Sequence, residues 1–248
     1  MQSPQSSKCQ YHPRRVYTAA DGPDRFLAGY RGFVHADCLA QYDNVFAAGA
    51  RHVACWAHAR RKLLDAGESA APAVAWIGQL YGIERGLPPP DTPEQIRQRV
   101  HIRQGRVAPV LARLHAWLVA ASVTALPRSP LGQAIAYILP RWEAFTRFTT
   151  DGRLSPDNNL SERTLRAVAI GRGNWTFLGS AESGVWAATH YTVIGSCRHL
   201  GIDPFAYLRD ILPRLHELGD VPTAEQLTPL LPDRWLASRP ISDATASA

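Results

Sequence analysis

Lysine is nearly missing from this chain: Lys8 and Lys62 are the only two, against 25 arginines. Arginine suits bidentate contacts to phosphate. A GC-rich genome produces the same excess, however, so the bias alone decides little. Cysteine is scarce too. Cys9, Cys38, Cys55 and Cys197 are scattered, which excludes a disulfide scaffold and fits the reduced thiols of a cytosolic protein. No run approaches the roughly 20 apolar residues that span a bilayer. No apolar stretch near the N-terminus reads as a secretory signal. These absences predict a soluble, cytoplasmic protein that does not engage a membrane. Acids are in deficit: formal charge is +6 and the pI about 9.4. That balance favours a polyanionic partner, nucleic acid first.

What is present suffices for a folded core. The 248 residues are 46% hydrophobic, enough for one large domain or two small ones, and no internal repeat is visible. Residues 1–14 are polar and aperiodic and read as a disordered leader. Arg15-Val16-Tyr17-Thr18 reads as a short strand, Asp21-Gly22-Pro23-Asp24 as a turn, and 26–30 as a short helix. Phe33-Val34-His35-Ala36 reads as a buried strand ending at Asp37. A helix over 40–48 follows, then a second apolar strand over 52–57. This is a βαβ pattern, which places function at the carboxyl ends of its strands. From Ala59 the periodicity is helical: 60–66, then Ala71–Arg85, then a helix from Thr92-Pro93-Glu94 to about Ala120, then 131–149 bent near Pro140. Further on, Asn174-Trp175-Thr176-Phe177-Leu178 reads as extended. Helices are expected over 183–200, over 203–218 with Asp203 as N-cap, and over 224–230, with a loose tail after Pro240.

The richest stretch is Ser155-Pro156-Asp157-Asn158-Asn159-Leu160-Ser161-Glu162-Arg163-Thr164-Leu165-Arg166. It predicts a helix with Ser155 as N-cap, Pro156 at the first position and Asp157 at the positive end of the dipole. Asn158, Glu162 and Arg166 are four apart and share a face. A carboxylate among amides and guanidinium groups suits a hard metal ion beside a phosphate, provided other carboxylates converge there.

That segment, with Gly171-Arg172-Gly173-Asn174-Trp175, resembles the glutamate motif of the transposases of insertion sequence 66. Phe26-Leu27-Ala28-Gly29-Tyr30 with Ala36-Asp37, then Cys55-Trp56-Ala57-His58-Ala59-Arg60-Arg61-Lys62, agree in order. So do Leu131-Gly132-Gln133-Ala134-Ile135 with Arg141-Trp142-Glu143, and Asp203-Pro204-Phe205-Ala206-Tyr207-Leu208. The similarity runs from about residue 25 to about residue 236. The resemblance implies an α/β fold: a partial ribonuclease H-like core with a largely helical insertion and a helical C-terminal extension. The parts would be 15–62, the insertion 63–150, the rest of the core 151–218, and a tail 219–248.

By the same resemblance, three carboxylates hold two divalent ions, Mg²⁺ or Mn²⁺. Asp37 matches the second and Glu162 the third, so both are expected as catalytic metal ligands. The first aspartate would lie well upstream of Asp37. Asp21 and Asp24 are the only acids before Asp37, and neither leaves room for the intervening hairpin. The expectation is a C-terminal transposase fragment whose metal binding and strand cleavage are weak or absent alone. Double-stranded DNA is the implied partner, at element ends and target, with a second copy or a full-length transposase as protein partner. His58, Arg60, Arg61, Lys62, Asn158, Asn159, Arg163, Arg166 and Arg172 are expected at the DNA, with His58 also suited to relay a proton. For His58, Arg60, Arg61 and Lys62 the alternative is an ordinary solvated basic turn; Asn158, Asn159, Arg163 and Arg166 either orient Glu162 or touch the DNA backbone. Trp175 fits DNA contact or a core.

Three other readings stay open. Cys9-Gln10-Tyr11-His12 and Cys55-Trp56-Ala57-His58 are two Cys-x-x-His pairs that would make four zinc ligands. Against this, Cys9 and His12 fall in the leader, and Cys55 reads as a small buried hydrophobe. A non-catalytic DNA-binding or assembly module of a transposition complex is the second reading. A helical protein with incidental charge is the third.

Overall fold

The computed structural model describes residues 22–174 and 180–239. The leader, the strand over 15–18, Cys9 and His12, the extended segment at 175–178 and the tail after Pro240 lie outside them. The described residues form two compact units divided between Arg163 and Thr164. They are mostly helical with one small parallel sheet, which is compatible with the α/β class.

The first unit opens with a short helix, α1 (Gly22–Phe26). This corrects the turn and the later helix expected there: Pro23 fits a first helical position, and Asp24 sits in the first turn. Strand β1 (Phe33–Ala36) is followed by a 3₁₀ turn (Ala40–Tyr42) and α2 (Asp43–Ala47), then strand β2 (Arg51–Ala54). The strands pair in parallel, Phe33 with Arg51 through Ala36 with Ala54. The βαβ reading therefore holds locally. β2 ends earlier than expected because Cys55 turns the chain and Trp56 begins α3 (Trp56–Asp65).

α4 (Ala71–Arg85) buries Ala73, Ile77, Leu80 and Ile83 on one stripe, as its spacing predicts. α5 (Pro93–Ile102) starts on a capping box between Thr92 and Gln95. A π-helical turn (Arg103–Val107) then leads into α6 (Ala108–Thr124). This run from Pro93 to Thr124 is long and apolar enough, by length and composition, to cross a membrane. Its stripe Val107, Val110, Leu111, Leu114 and Leu118 lies in the protein core. The expected bent helix is two helices, α7 (Pro130–Ile138) and α8 (Trp142–Thr146), joined by a 3₁₀ turn that contains Pro140. Proline removes a backbone donor and breaks the α ladder there.

Trp56 is fully buried and anchors the core. It stacks edge-on to Trp142 at 5.8 Å, and its indole donates to the Phe145 carbonyl at 2.8 Å. Arg103 is the charged residue of that core. Its Nε and Nη2 meet the two Glu84 oxygens at 2.8 Å each. The remaining donors reach the carbonyls of Phe148, Asp151 and Leu154. All five guanidinium N–H groups thus have acceptors. Arg99 adds a bond to the Gly152 carbonyl at 2.6 Å. Gly152 has no room for a side chain, since a Cβ there would come within 2.2 Å of the Ile96 carbonyl oxygen. Residues 148–154 are thereby tied to α4, α5 and the π turn, and they lead into the next helix, α9 (Asn159–Asn174).

The second unit holds the rest of α9, then α10 (Ala181–His199), α11 (Pro204–Glu217), α12 (Ala224–Leu227) and α13 (Pro232–Ala237). Asp203 caps α11 as expected, accepting from Phe205 and Ala206 amides. A separate core gathers Cys197, Ile202, Tyr207, Ile211 and Trp235. Tyr207 donates to the Leu230 carbonyl at 2.6 Å, and Trp235 donates to Asp210 at 2.7 Å. Helix α13 has no counterpart in the sequence reading.

Candidate functional site at the carboxyl end of the sheet

Asp37 follows β1 directly and is partly exposed. Beside it, the Cys38 amide donates to the Tyr137 hydroxyl at 3.4 Å. Burial and Cys38 push that hydroxyl's pKa up, with a smaller push from the Asp37 charge. The Lys62 ammonium lies over the Tyr137 ring, 4.9 Å from its centre.

The neighbouring strand ends at Cys55, the residue that caps α3. Burial pushes its thiol up, while the backbone amides of Asn158, His58 and Ala57 directed at the sulfur pull partly back. The Trp56 amide donates to the Pro156 carbonyl at 2.9 Å. The segment ahead of α9 is therefore bonded to the end of β2.

That segment starts its helix later than expected. Ser155 accepts from the Asp157 amide instead of capping a helix, and Asp157 accepts from the Asn159 amide. Asn158 supplies the carbonyl for Glu162, so Asn158 and Glu162 still face the same way one turn apart. Glu162 Oε1 sits 3.3 Å from His58 Nε2. Among the described residues, His58 Nδ1 and Asn158 Oδ1 are buried without hydrogen-bond partners. His58 is thus placed at the glutamate. Arg60, Arg61, Arg163 and Arg166 are exposed, Asn159 is half-buried, and the Arg172 side chain lies outside the described residues.

Asp157 and Tyr137 received no site role from the sequence, and Cys55 only that of a zinc ligand. Asp157 signals itself electrostatically: burial comes first, and Asp157 next, in pushing the Tyr81 hydroxyl upward. At His35 burial lowers the pKa, and Asp157 works against it. The Asp157-Asn158-Asn159 spelling and the Cys55–His58 motif were the sequence signals for this cluster.

The donors at this end match a hard divalent cation in kind. Asp37 and Glu162 supply carboxylate oxygens, and Asn158 Oδ1 is a buried carbonyl oxygen without a donor among the described residues. They do not match it in number. Among the described residues no three His, Cys, Asp or Glu side chains converge on a common metal position. The four-ligand zinc reading is left with Cys55 and His58, since its other two members lie outside the described residues.

Three similar proteins come from Sinorhizobium fredii (strain NBRC 101917 / NGR234). The uncharacterized protein y4hP is 34% identical over 90% of this chain and 44% of its own length. The uncharacterized protein y4jD is 32% identical over 87% of this chain and 43% of its own length. The uncharacterized protein y4qI is 30% identical over 85% and 41%. The chain therefore spans less than half the length of these relatives. No solved structure matches it. The model of the Transposase IS66 family matches residues 3–185, most of the sequence, and the chain belongs to that family.

Proposed function

We propose that this chain is the part of a DDE-type transposase that carries the second and third metal-binding carboxylates, Asp37 and Glu162, on an incomplete ribonuclease H-like core. The reading rests on one observation above the others. Asp37 follows β1, and the segment leading to Glu162 is hydrogen-bonded to the end of the adjacent parallel strand. Ligands in such sheets gather at the carboxyl ends of strands.

Asp37 and Glu162 would hold Mg²⁺ or Mn²⁺, with Asn158 Oδ1 as a further oxygen donor. Such an ion supplies Lewis-acid polarisation of a phosphoryl oxygen and activation of the attacking oxygen. The chain's own groups do the rest. His58 orients Glu162. Arg60, Arg61, Lys62, Asn159, Arg163, Arg166 and Arg172 hold the duplex by its phosphates. In a full-length relative this chemistry would hydrolyse a phosphodiester at the element's ends and then use the freed 3′-hydroxyl to attack target DNA. Two carboxylates hold metal less tightly than three, so the 248-residue polypeptide alone has little or no strand-cleaving activity. A second copy or a full-length transposase is its natural protein partner.

A non-catalytic DNA-binding or assembly role is the second reading. It is favoured by the lack, among the described residues, of a three-ligand cluster. The test is duplex binding across a salt series beside a nicking assay with Mg²⁺ and Mn²⁺. The expected result is binding that weakens steeply with salt, with nicking near background. Robust metal-dependent nicking abolished by Glu162→Gln would show the site to be complete and sink the inactive-fragment reading. Salt-independent binding, or none, would sink the DNA-handling function.

A further inference from the structure

A groove of about 520 Å³ runs between α4 and the π turn that precedes α6. Gln79, Gly82, Gly105, Arg106 and Arg113 line it, and none of them belongs to the site at the sheet. Two features of the backbone make the groove. The π turn keeps Arg103 and Val107 buried while residues 104–106 face solvent. π turns recur at functional sites. The two glycines then leave its width open. A Cβ on Gly105 would meet no atom within 4 Å, and one on Gly82 would meet only Arg85 Nη2, at 3.8 Å.

Among the described residues, no acid neutralises the charge in this groove. Arg113 donates to the neutral Gln79 amide oxygen at 3.0 Å. Among the described residues Arg106 makes no hydrogen bond or ion pair, and no acid is among the lining residues. The nearby acid on α4, Glu84, is already taken by Arg103 and Arg99. Arg106 and Arg113 stand seven residues apart, roughly 10 Å along the helix axis. That distance covers on the order of three base-pair steps of a duplex strand. Two guanidinium groups at that spacing along an open groove suit a regularly charged polymer better than one small anion.

We infer that this groove binds the sugar-phosphate backbone of duplex DNA, as a second contact made by the helical region between the two halves of the metal-binding site. The inference rests on the DNA-handling function proposed above. The contact is sequence-independent, since arginines on phosphates position a duplex without reading bases.

Anisotropy of a fluorescent duplex, measured with the full chain over a salt series, tests it. Arg106→Ala/Arg113→Ala should weaken binding about tenfold near 0.1 M salt and lower the log–log salt slope by about 2. Gly82→Glu puts an acid into the groove and a better helix former into α4. It should weaken binding while leaving the circular dichroism spectrum and thermal midpoint intact or improved. Arg97→Ala/Arg128→Ala removes the same charge elsewhere and should change affinity by less than about twofold. The inference is overturned if the groove variants bind like wild type or no worse than this control. It is also overturned if they lose polyglutamate but keep the duplex, which assigns the groove to an acidic protein. If groove variants bind normally while Arg60→Ala/Arg61→Ala does not, the groove fails and the proposed function stands. If the wild-type chain binds no duplex, both fail.

Discussion

His52 sits half-buried in β2. It stacks on Phe46 with centroids 4.2 Å apart, and its Nε2 lies 3.2 Å from the Ala36 carbonyl. Burial lowers its pKa, the carbonyl contact and Asp43 oppose that, and the guanidinium groups of Arg147 and Arg141 reinforce it. A histidine whose folded pKa lies below its unfolded value of about 6.5 costs nothing above that pH. As pH falls below it, the unfolded chain takes up a proton the folded chain resists, and stability drops. The urea midpoint of the wild type should therefore fall between pH 7 and pH 5 more steeply than that of His52→Gln. Parallel slopes would contradict the assignment. The residue scale is also where the candidate site was partly legible. Asn158 and Glu162 announced their shared face by spacing alone. The pairing of His58 with Glu162 did not, because 104 positions separate them and only the packing of 156–158 on the end of β2 brings them together.

Among the elements, the Arg103–Glu84 pair has the widest reach. It joins α4 to the π turn and holds the carbonyls of 148–154, the run that delivers Asp157, Asn158 and Glu162 to the sheet. Removing one partner of a buried pair costs about 3–5 kcal/mol, and without Arg103 the Glu84 carboxylate keeps only the longer contact to Arg99, at 3.5 Å. Arg103→Met should lose stability on that scale in chemical denaturation, and Arg103→Met/Glu84→Met should recover much of it. A double variant no better than the single would show that the carbonyl contacts, not the ion pair, carry the effect. The sequence displayed the helices that bury a simple stripe, such as Ala71–Arg85, and the helix of Asp203 and Pro204 with its cap. It hid the π turn, since a single extra residue in a turn hardly disturbs an apolar rhythm already interrupted by Arg103. It also hid the start of α9. Ser155 and Pro156 spell a good cap, but the Pro156 carbonyl accepts the Trp56 amide and Asp157, not Ser155, accepts from the first amide of the helix.

At the scale of the whole molecule, two cores that share no residue carry the two units. The second is small and depends on Trp235, which is 4% exposed, stacks edge-on to Tyr207 and donates to Asp210. That hydrogen bond is the first cause of the lowered pKa of Asp210, with Arg214 and Arg239 adding to it. Trp235→Ala should cost about 3–5 kcal/mol. Calorimetry should show the loss in the transition of the second unit, with the transition of the first unmoved. A uniform shift of one single transition would mean that the chain unfolds as one body. The proposed chemistry requires Asp37 and Glu162 to serve the same cation, and Mn²⁺ binding followed by electron paramagnetic resonance measures that directly. The prediction is a site weakened at least about tenfold, roughly 1.4 kcal/mol, by Asp37→Asn or by Glu162→Gln, with little further loss in the double variant because one ion has lost its grip already. Wild type and both variants binding Mn²⁺ alike would contradict it.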